Sequence, residues 1–234
     1  MVAEYQSQPE PCRCVRGRHL LRRALGDHLA AVFAGFRGPR YHVLGNHDED
    51  SLTKPEFLGD VENTGIPAGR TFYSFDIRGV HFVVLDPNFR ADGREFARGD
   101  FAWEDCNLPQ AELDWLKSDL AAGKGSAVVF IHQQLDGEGA YYVKNAAEVR
   151  AALEKSGKVI AVFQGHRHEG GFSLINGIPY FTFRGLVEGA GLWNSAYAIV
   201  DVMPDLEVRV LGYRRAETRS FKARVPALPA HGAR

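Results

Sequence analysis

Hydrophobic residues recur along the chain with two spacings, one typical of helices and the other of strands. Helical spacing covers residues 19–36, 109–123 and 145–157. Pro109 is favoured in a first helical turn, and Asn145 with Glu148 is the pattern of a capping pair. The hydrophobic pattern therefore predicts three helices.

Alternating or continuous apolar runs predict strands between and after these helices. They cover residues 41–44, 71–77, 80–85, 127–131, 159–163, 172–175, 178–183, 196–202 and 206–211. Two of the runs, 127–131 and 159–163, are apolar throughout, as in strands buried on both faces. The dipeptides Arg78-Gly79 and Asn176-Gly177 predict hairpin turns. Strands mixed with helices in this order indicate a layered α/β fold.

The chain of 234 residues suits one α/β domain. Residues 1–18 lack periodicity and are expected to be a disordered or foreign leader. The domain is predicted to cover residues 19–219, and residues 220–234 to form a tail.

Charge and hydropathy exclude some classes of partner. The chain has 28 Lys and Arg against 29 Asp and Glu, a net charge of −1, which gives no bulk attraction to nucleic acid or to anionic membranes. No apolar run is long enough to span a membrane, and the N-terminus lacks the apolar core of a signal peptide. We expect a cytoplasmic protein, or an exported one if a signal was lost with the N-terminus. The oligomeric state stays open.

Polar metal-ligand side chains follow three of the predicted strands. Asn46 and His47 follow the first strand, His132 follows residues 127–131, and His166 with His168 follow residues 159–163. Ligands of α/β proteins gather at the carboxyl ends of strands. Imidazoles with an amide oxygen suit Mn, Fe, Zn or a similar divalent ion. The sequence thus predicts a metal site at this sheet edge.

The motif GNHD at residues 45–48, the strand-final His132 and the motif GHRH at residues 165–168 resemble, in this order, the calcineurin-like metallophosphoesterase family. Within the family the chain resembles a bacterial phosphohydrolase branch and is similar to manganese-dependent ADP-ribose/CDP-alcohol diphosphatases. The resemblance implies a four-layer α/β/β/α sandwich that holds two metal ions at one edge.

The resemblance also implies roles for the site residues. Asn46, His132 and His166 would bind one metal ion and His168 the other, while His47 would protonate or stabilise the leaving oxygen. The implied activity is hydrolysis of a phosphomonoester, a phosphodiester or a nucleotide diphosphate conjugate, by attack of a metal-activated hydroxide on phosphorus. The expected partner is therefore a small phosphorylated substrate.

The role of Asp48 has two interpretations. As a second catalytic candidate it would orient the His47 ring with its carboxylate. The alternative is that Asp48 caps the segment that follows it.

The family's opening motifs, Asp-x-His and Gly-Asp-x-x-Asp, have no counterpart before Gly45. The pair Gly26-Asp27 lies in a helical pattern and is followed by no second acid. We therefore expect an N-terminally truncated domain that lacks the first strands and binds one metal ion well. The alternative function is a catalytically impaired remnant that binds one metal ion or a phosphate ligand.

Loop residues after the ligand-bearing strands are candidates for substrate contact, because such loops carry specificity. Arg184, Glu188 and Tyr142 are the predicted substrate-binding residues, and Tyr141 is a further candidate. Trp103, in the long loop of residues 86–108, forms either a substrate wall or an anchor for that loop. The anchoring interpretation is preferred from sequence alone.

Overall fold

The computed structural model describes residues 35–100, 102–186 and 190–223, together with the backbone of residues 2–4 and 12–15. All structural statements below concern these residues. The helix predicted at residues 19–36 lies almost entirely outside them.

Three helices and eleven strands form the described structure. The helices are α1 Lys54–Asp60, α2 Gln110–Ala122 and α3 Ala146–Ser156. The strands are β1 Val2–Glu4, β2 Cys12–Val15, β3 Tyr73–Ile77, β4 Val80–Val84, β5 Ala127–Phe130, β6 Val159–Gln164, β7 Gly171–Ile175, β8 Ile178–Thr182, β9 Tyr197–Val202, β10 Glu207–Tyr213 and β11 Arg219–Lys222. Short 3-10 turns cover Asn46–Asp48, Trp103–Asp105 and Leu192–Asn194.

A six-stranded mixed sheet has the order β3-β4-β5-β6-β8-β7. Strands β4, β5, β6 and β8 run parallel, and an antiparallel strand closes each edge. Every residue of β5 and of β6 is buried, which confirms the interpretation of the two continuous apolar runs.

Both predicted hairpins are present and have the predicted turn residues. Arg78 and Gly79 have φ of 49° and 80°, and Asn176 and Gly177 have φ of 48° and 85°. Two successive positive φ values match the twist of the strands on either side.

A second sheet of five antiparallel strands, in the order β1-β2-β9-β10-β11, packs face to face with the first. Phe82, Phe130 and Phe163 of the six-stranded sheet share one apolar cluster with Val200 and Val210 of the five-stranded sheet. Burial of this apolar surface holds the two sheets together.

Helices α2 and α3 cover the opposite face of the six-stranded sheet. Their apolar stripes, Leu113, Leu116 and Leu120 on α2 and Val149 and Leu153 on α3, are buried in a second cluster. The order of layers is therefore helices, sheet, sheet, which confirms the predicted metallophosphoesterase sandwich. A helical layer outside the five-stranded sheet is not seen in the described part of the chain.

The strand predicted at residues 41–44 is wrong, because this segment is extended but belongs to neither sheet. Side chains take the place of a neighbouring strand. The His42 N–H donates to Asn63 Oδ1 at 2.7 Å, and the Tyr73 hydroxyl donates to the His42 carbonyl at 2.8 Å. These bonds satisfy the backbone N–H and the carbonyl of His42.

The capping pair predicted at the start of α3 is also wrong. Asn145 occupies the N-cap position but makes no side-chain cap. Its amide instead bonds both backbone groups of Leu108, accepting from the N–H at 3.0 Å and donating to the carbonyl at 2.8 Å. A long-range contact has replaced the local one.

The chain ends differ from the expected leader and tail. Strands β1 and β2 lie within residues 1–18, and β2 pairs with β9. Strand β11 pairs with β10 and extends past residue 219. The domain boundaries themselves stay predictions. No helix among the described residues is long and apolar enough to cross a membrane.

Candidate active site

Two of the predicted ligands are brought together by neighbouring parallel strands. His132 lies just beyond β5 and His166 just beyond β6, so both leave the same edge of the sheet. The Gly165 N–H donates to the His132 carbonyl at 2.8 Å, which ties the two loops together. His166 has φ of 64°, a conformation uncommon outside glycine that turns its ring towards His132. The two ring centroids are 5.3 Å apart.

A third loop brings Asn46 to the same point. The extended residues before it are fixed to the end of β4 by Asn88, whose amide donates to the Leu44 carbonyl at 3.2 Å. Asn46 then opens the 3-10 turn Asn46–Asp48 and is buried. Its side chain therefore faces the two imidazoles.

The three side chains meet at the amide oxygen of Asn46. Asn46 Oδ1 lies 3.0 Å from His132 Nε2 and 3.1 Å from His166 Nδ1. Two ligand atoms that share one ion at about 2.1 Å lie about 3.0–3.4 Å apart. The observed spacing fits a common ion, with the hydrogen bonds as its metal-free equivalent. Among the described residues no three His, Cys, Asp or Glu side chains form a group that could hold a metal ion, and the candidate donor set consists of two imidazoles and one amide oxygen.

His47 and His168 lie beside each other near this donor set. Their ring centroids are 6.5 Å apart. His168 packs against Gly185, where an added Cβ would lie 2.9 Å from the His168 Cγ, so glycine is needed for this approach. The structure thus brings the fourth predicted ligand and the predicted catalytic histidine to one place.

The carboxylate that contacts the His47 ring belongs to Asp50. Asp50 Oδ2 lies 2.7 Å from His47 Nδ1, whereas Asp48 Oδ2 accepts the N–H of Gly45 at 2.8 Å. Asp48 thus caps the turn to which it belongs rather than the segment that follows it, and Asp50 makes the contact with the His47 ring. A catalytic role of Asp48 stays a prediction. Asp50 was not identified from the sequence, although a spacing of three residues in a tight turn is a usable signal.

An aromatic pair borders His166. The centroid of Trp103 lies 5.2 Å from the His166 ring and that of Tyr141 lies 5.6 Å from it. The Trp103 and Tyr141 centroids are 5.5 Å apart. The sequence pointed to both residues only weakly, because they lie in irregular loops without periodicity.

The three predicted substrate-binding residues have different outcomes. Arg184 donates from Nε to the Glu169 carbonyl at 3.2 Å, which holds it on the loop of His166. Tyr142 packs against Gly137 and lines a separate cavity of about 250 Å³. Glu188 lies outside the described residues. Substrate contact by these residues stays a prediction.

A buried group of charged side chains lies next to the GNHD turn. The Lys54 ammonium contacts Asp86 Oδ2 at 2.8 Å, and both side chains are almost fully buried. The Asp86 N–H donates to Glu112 Oε1 at 2.8 Å. Burial, with repulsion from Asp86, raises the pKa of Glu49 to about 9 and that of Glu112 well above its usual range. Glu49 is thus uncharged at neutral pH.

Comparison with known proteins decides the family. Residues 18–170 match the family model described as calcineurin-like phosphoesterase. The chain belongs to this family. The resemblance seen in the GNHD and GHRH motifs is thereby confirmed.

Two curated relatives and one solved structure are similar to this calcineurin-like phosphoesterase. A probable cyclic nucleotide phosphodiesterase of Fibrobacter succinogenes is 28% identical over 60% of this chain and 50% of its own length. The manganese-dependent ADP-ribose/CDP-alcohol diphosphatase of Oryza sativa subsp. japonica is 25% identical over 80% of this chain and 69% of its own. A dimetal phosphatase from Danio rerio has a TM-score of 0.68 at 17% identity, covering 86% and 79% of the two chains. The chain thus spans about half of the bacterial relative.

Proposed function

We propose that this calcineurin-like phosphoesterase is a metal-dependent hydrolase of phosphoesters. The single observation that carries the proposal is the meeting of Asn46 Oδ1 with His132 Nε2 and His166 Nδ1, at 3.0 and 3.1 Å, from three separate loops. The names of the two curated relatives, a phosphodiesterase and a diphosphatase, support the same class of reaction.

The donor set fits a divalent ion held by Asn46, His132 and His166, with His168 as a ligand of a second ion. When bound, such an ion supplies a Lewis acid that activates water and withdraws charge from phosphoryl oxygens. The name of the rice relative makes manganese the first ion to test.

His47 supplies proton transfer in this proposal. The Asp50 carboxylate, 2.7 Å from Nδ1, fixes the ring and leaves Nε2 free to exchange a proton with the leaving oxygen. The side chain of His47 is 42% exposed, so a substrate can reach it. This arrangement matches a general acid oriented by a carboxylate.

A second candidate function is a catalytically impaired protein that binds one metal ion. The specific observation in its favour is that no three His, Cys, Asp or Glu side chains of the described segments gather at one point. A second ion would then have His168 and few charged ligands to balance its repulsion by the first. We therefore expect one tight manganese site for each chain.

The proposal is tested by titrating the metal-free protein with manganese and measuring hydrolysis of bis-(4-nitrophenyl) phosphate and 4-nitrophenyl phosphate. We expect His132→Asn and His166→Asn to weaken manganese binding at least about 100-fold and to lower kcat/KM in proportion. His81→Gln is the matched control, because His81 is the second residue of β4 and lies at the end of the parallel strands away from the ligand-bearing loops.

The outcomes separate the two functions. Tight manganese binding that depends on His132 and His166, with hydrolysis that depends on it, supports the hydrolase. The same binding without turnover supports the impaired protein. Two tight sites per chain refute the expectation of a single one. Unchanged binding in both variants excludes this metal site altogether.

A further inference from the structure

The aromatic pair Trp103 and Tyr141 lies beside the metal-ligand candidate His166 and is not accounted for by the reaction itself. Tyr141 is 46% exposed and Trp103 is partly buried. Both rings contact the imidazole of His166, at 5.2 and 5.6 Å between centroids. Large aromatic surface placed in this position needs an explanation.

Anchoring of the long loop does not explain the pair. The described structure has three apolar clusters, and neither Trp103 nor Tyr141 is a member of any of them or packs against them. Trp115, by contrast, packs against the cluster beneath α2. Other contacts hold the loop in place. Cys106 is fully buried, and the Lys144 N–H donates to the Cys106 carbonyl at 2.8 Å. The two rings therefore face the site rather than the core.

The geometry shows where a planar ligand fits. The Trp103 and Tyr141 centroids are 5.5 Å apart with an angle of 34° between the ring planes. To hold a third ring between them, the two rings would need to be about 7 Å apart, twice the usual contact distance of carbon atoms. A planar group would therefore stack on an outward face of the pair rather than insert between the two rings.

We propose that Trp103 and Tyr141 form a stacking platform for the nucleobase of a nucleotide phosphoester. This inference rests on the proposed function, since it needs the phosphoryl group to bind at the site of Asn46, His132 and His166. A ring stacked on the platform lies one ring thickness beyond a pair that is itself 5.2 to 5.6 Å from His166. A sugar fills such a gap between base and phosphate, whereas in a simple aryl phosphate the ring is bonded directly to the ester oxygen.

Stacking on aromatic side chains suits nucleobases of every kind, because each has a flat π face. Removal of one stacking residue weakens binding of a base by about 5-fold to 100-fold. The platform thus confers preference for nucleotides over sugar phosphates, without strong choice among bases.

The test compares two probes that carry the same phosphate, adenosine 5′-monophosphate and ribose 5-phosphate, by calorimetric titration of the manganese-loaded protein. We expect the nucleotide to bind at least 10-fold more tightly to the unmodified protein. Trp103→Ala and Tyr141→Ala should reduce this preference to less than about 3-fold while ribose 5-phosphate binds as before. Trp103→Phe keeps a ring and should retain most of the preference.

Two further measurements keep the test decisive. Adenosine 5′-monophosphate should quench tryptophan fluorescence, and Trp103→Phe should abolish that quenching although binding persists. Tyr213→Ala is the matched control, since Tyr213 is 40% exposed and stacks on Tyr197 with centroids 4.8 Å apart in the five-stranded sheet. This control should change neither affinity.

The outcomes are distinguishable. Equal affinity of the two probes for the unmodified protein overturns the platform and leaves the hydrolase proposal intact. Equal weakening of both probes by Trp103→Ala overturns it as well, because the ring would then only position His166. If neither probe binds even with manganese bound, both the platform and the proposed function fail.

Discussion

Replacing Glu49 by Gln should stabilise the protein at neutral pH. Glu49 is fully buried, and neither of its carboxyl oxygens has a hydrogen-bond partner among the described protein atoms. Burial raises its pKa from 4.5 to about 9, so the carboxyl is protonated in the folded chain and ionised in the unfolded chain at pH 7. Between these two pKa values the folded state binds one more proton than the unfolded state. Stability therefore falls as pH rises through this window.

The size of the effect follows from the linkage relation. At pH 7 the solution is about 2.5 units above the ordinary pKa of 4.5, and each unit corresponds to about 1.4 kcal/mol. Ionisation of Glu49 thus stabilises the unfolded state by about 3 kcal/mol relative to the folded state at pH 7. Glutamine does not titrate, so Glu49→Gln removes this stabilisation of the unfolded state. We expect an increase of up to about 3 kcal/mol in the free energy of unfolding at pH 7, and almost none at pH 4.5.

The assay is equilibrium unfolding in urea between pH 4.5 and 8.5, with a chelator present so that metal binding does not contribute. The variant should show a downward slope above pH 5 that is smaller by up to about 1.4 kcal/mol per pH unit, because the raised pKa values of Glu112 and His81 keep their own contributions. Glu148→Gln, an exposed position on α3, is the control and should leave the slope unchanged. An identical slope in Glu49→Gln and in the unmodified protein would falsify the assignment of a buried neutral carboxyl.

Three further predictions concern charged pairs. Lys54→Met should lower the free energy of unfolding by about 3–5 kcal/mol, because it leaves Asp86 buried without its partner. The surface pair formed by Lys117 should contribute less than about 1 kcal/mol in the same urea experiment. Hydrogen bonding to Asp119, then to Asp76, raises the pKa of His81 above 6.5, so its contribution is complete below pH 6.5 and is lost as pH rises through the folded pKa. The melting temperature should fall between pH 6 and 9 as this contribution is lost, and Asp119→Asn should make the fall smaller. An unaltered pH profile of the melting temperature in Asp119→Asn would contradict this role of His81.

The sequence predicted those parts of the fold in which local pattern and final environment agree. The continuous apolar runs of β5 and β6 are buried because parallel strands are covered on both faces. The turns at Arg78-Gly79 and Asn176-Gly177 follow from residues that tolerate positive φ. His132 and His166 follow the ends of β5 and β6, as predicted, whereas Asn46 follows an extended segment outside both sheets.

The missed features depend on contacts that are distant in the sequence. Asn145 was expected to cap its own helix, but Leu108 offered both backbone groups to its amide. Residues 41–44 have the composition of a strand, but the backbone of His42 bonds the side chains of Asn63 and Tyr73. The Trp103 platform joins loops 38 residues apart, and no periodicity marks such a meeting.

The extended segment of residues 41–45, which belongs to neither described sheet, has a consequence for the metal site. His132 and His166 follow central strands of the six-stranded sheet. Asn46 instead follows the extended segment of residues 41–45, in which the backbone of His42 bonds the side chains of Asn63 and Tyr73. Amide hydrogen exchange should therefore be faster around residue 42 than around residue 131. Asn46 would then be the first of the three side chains to separate from a bound ion.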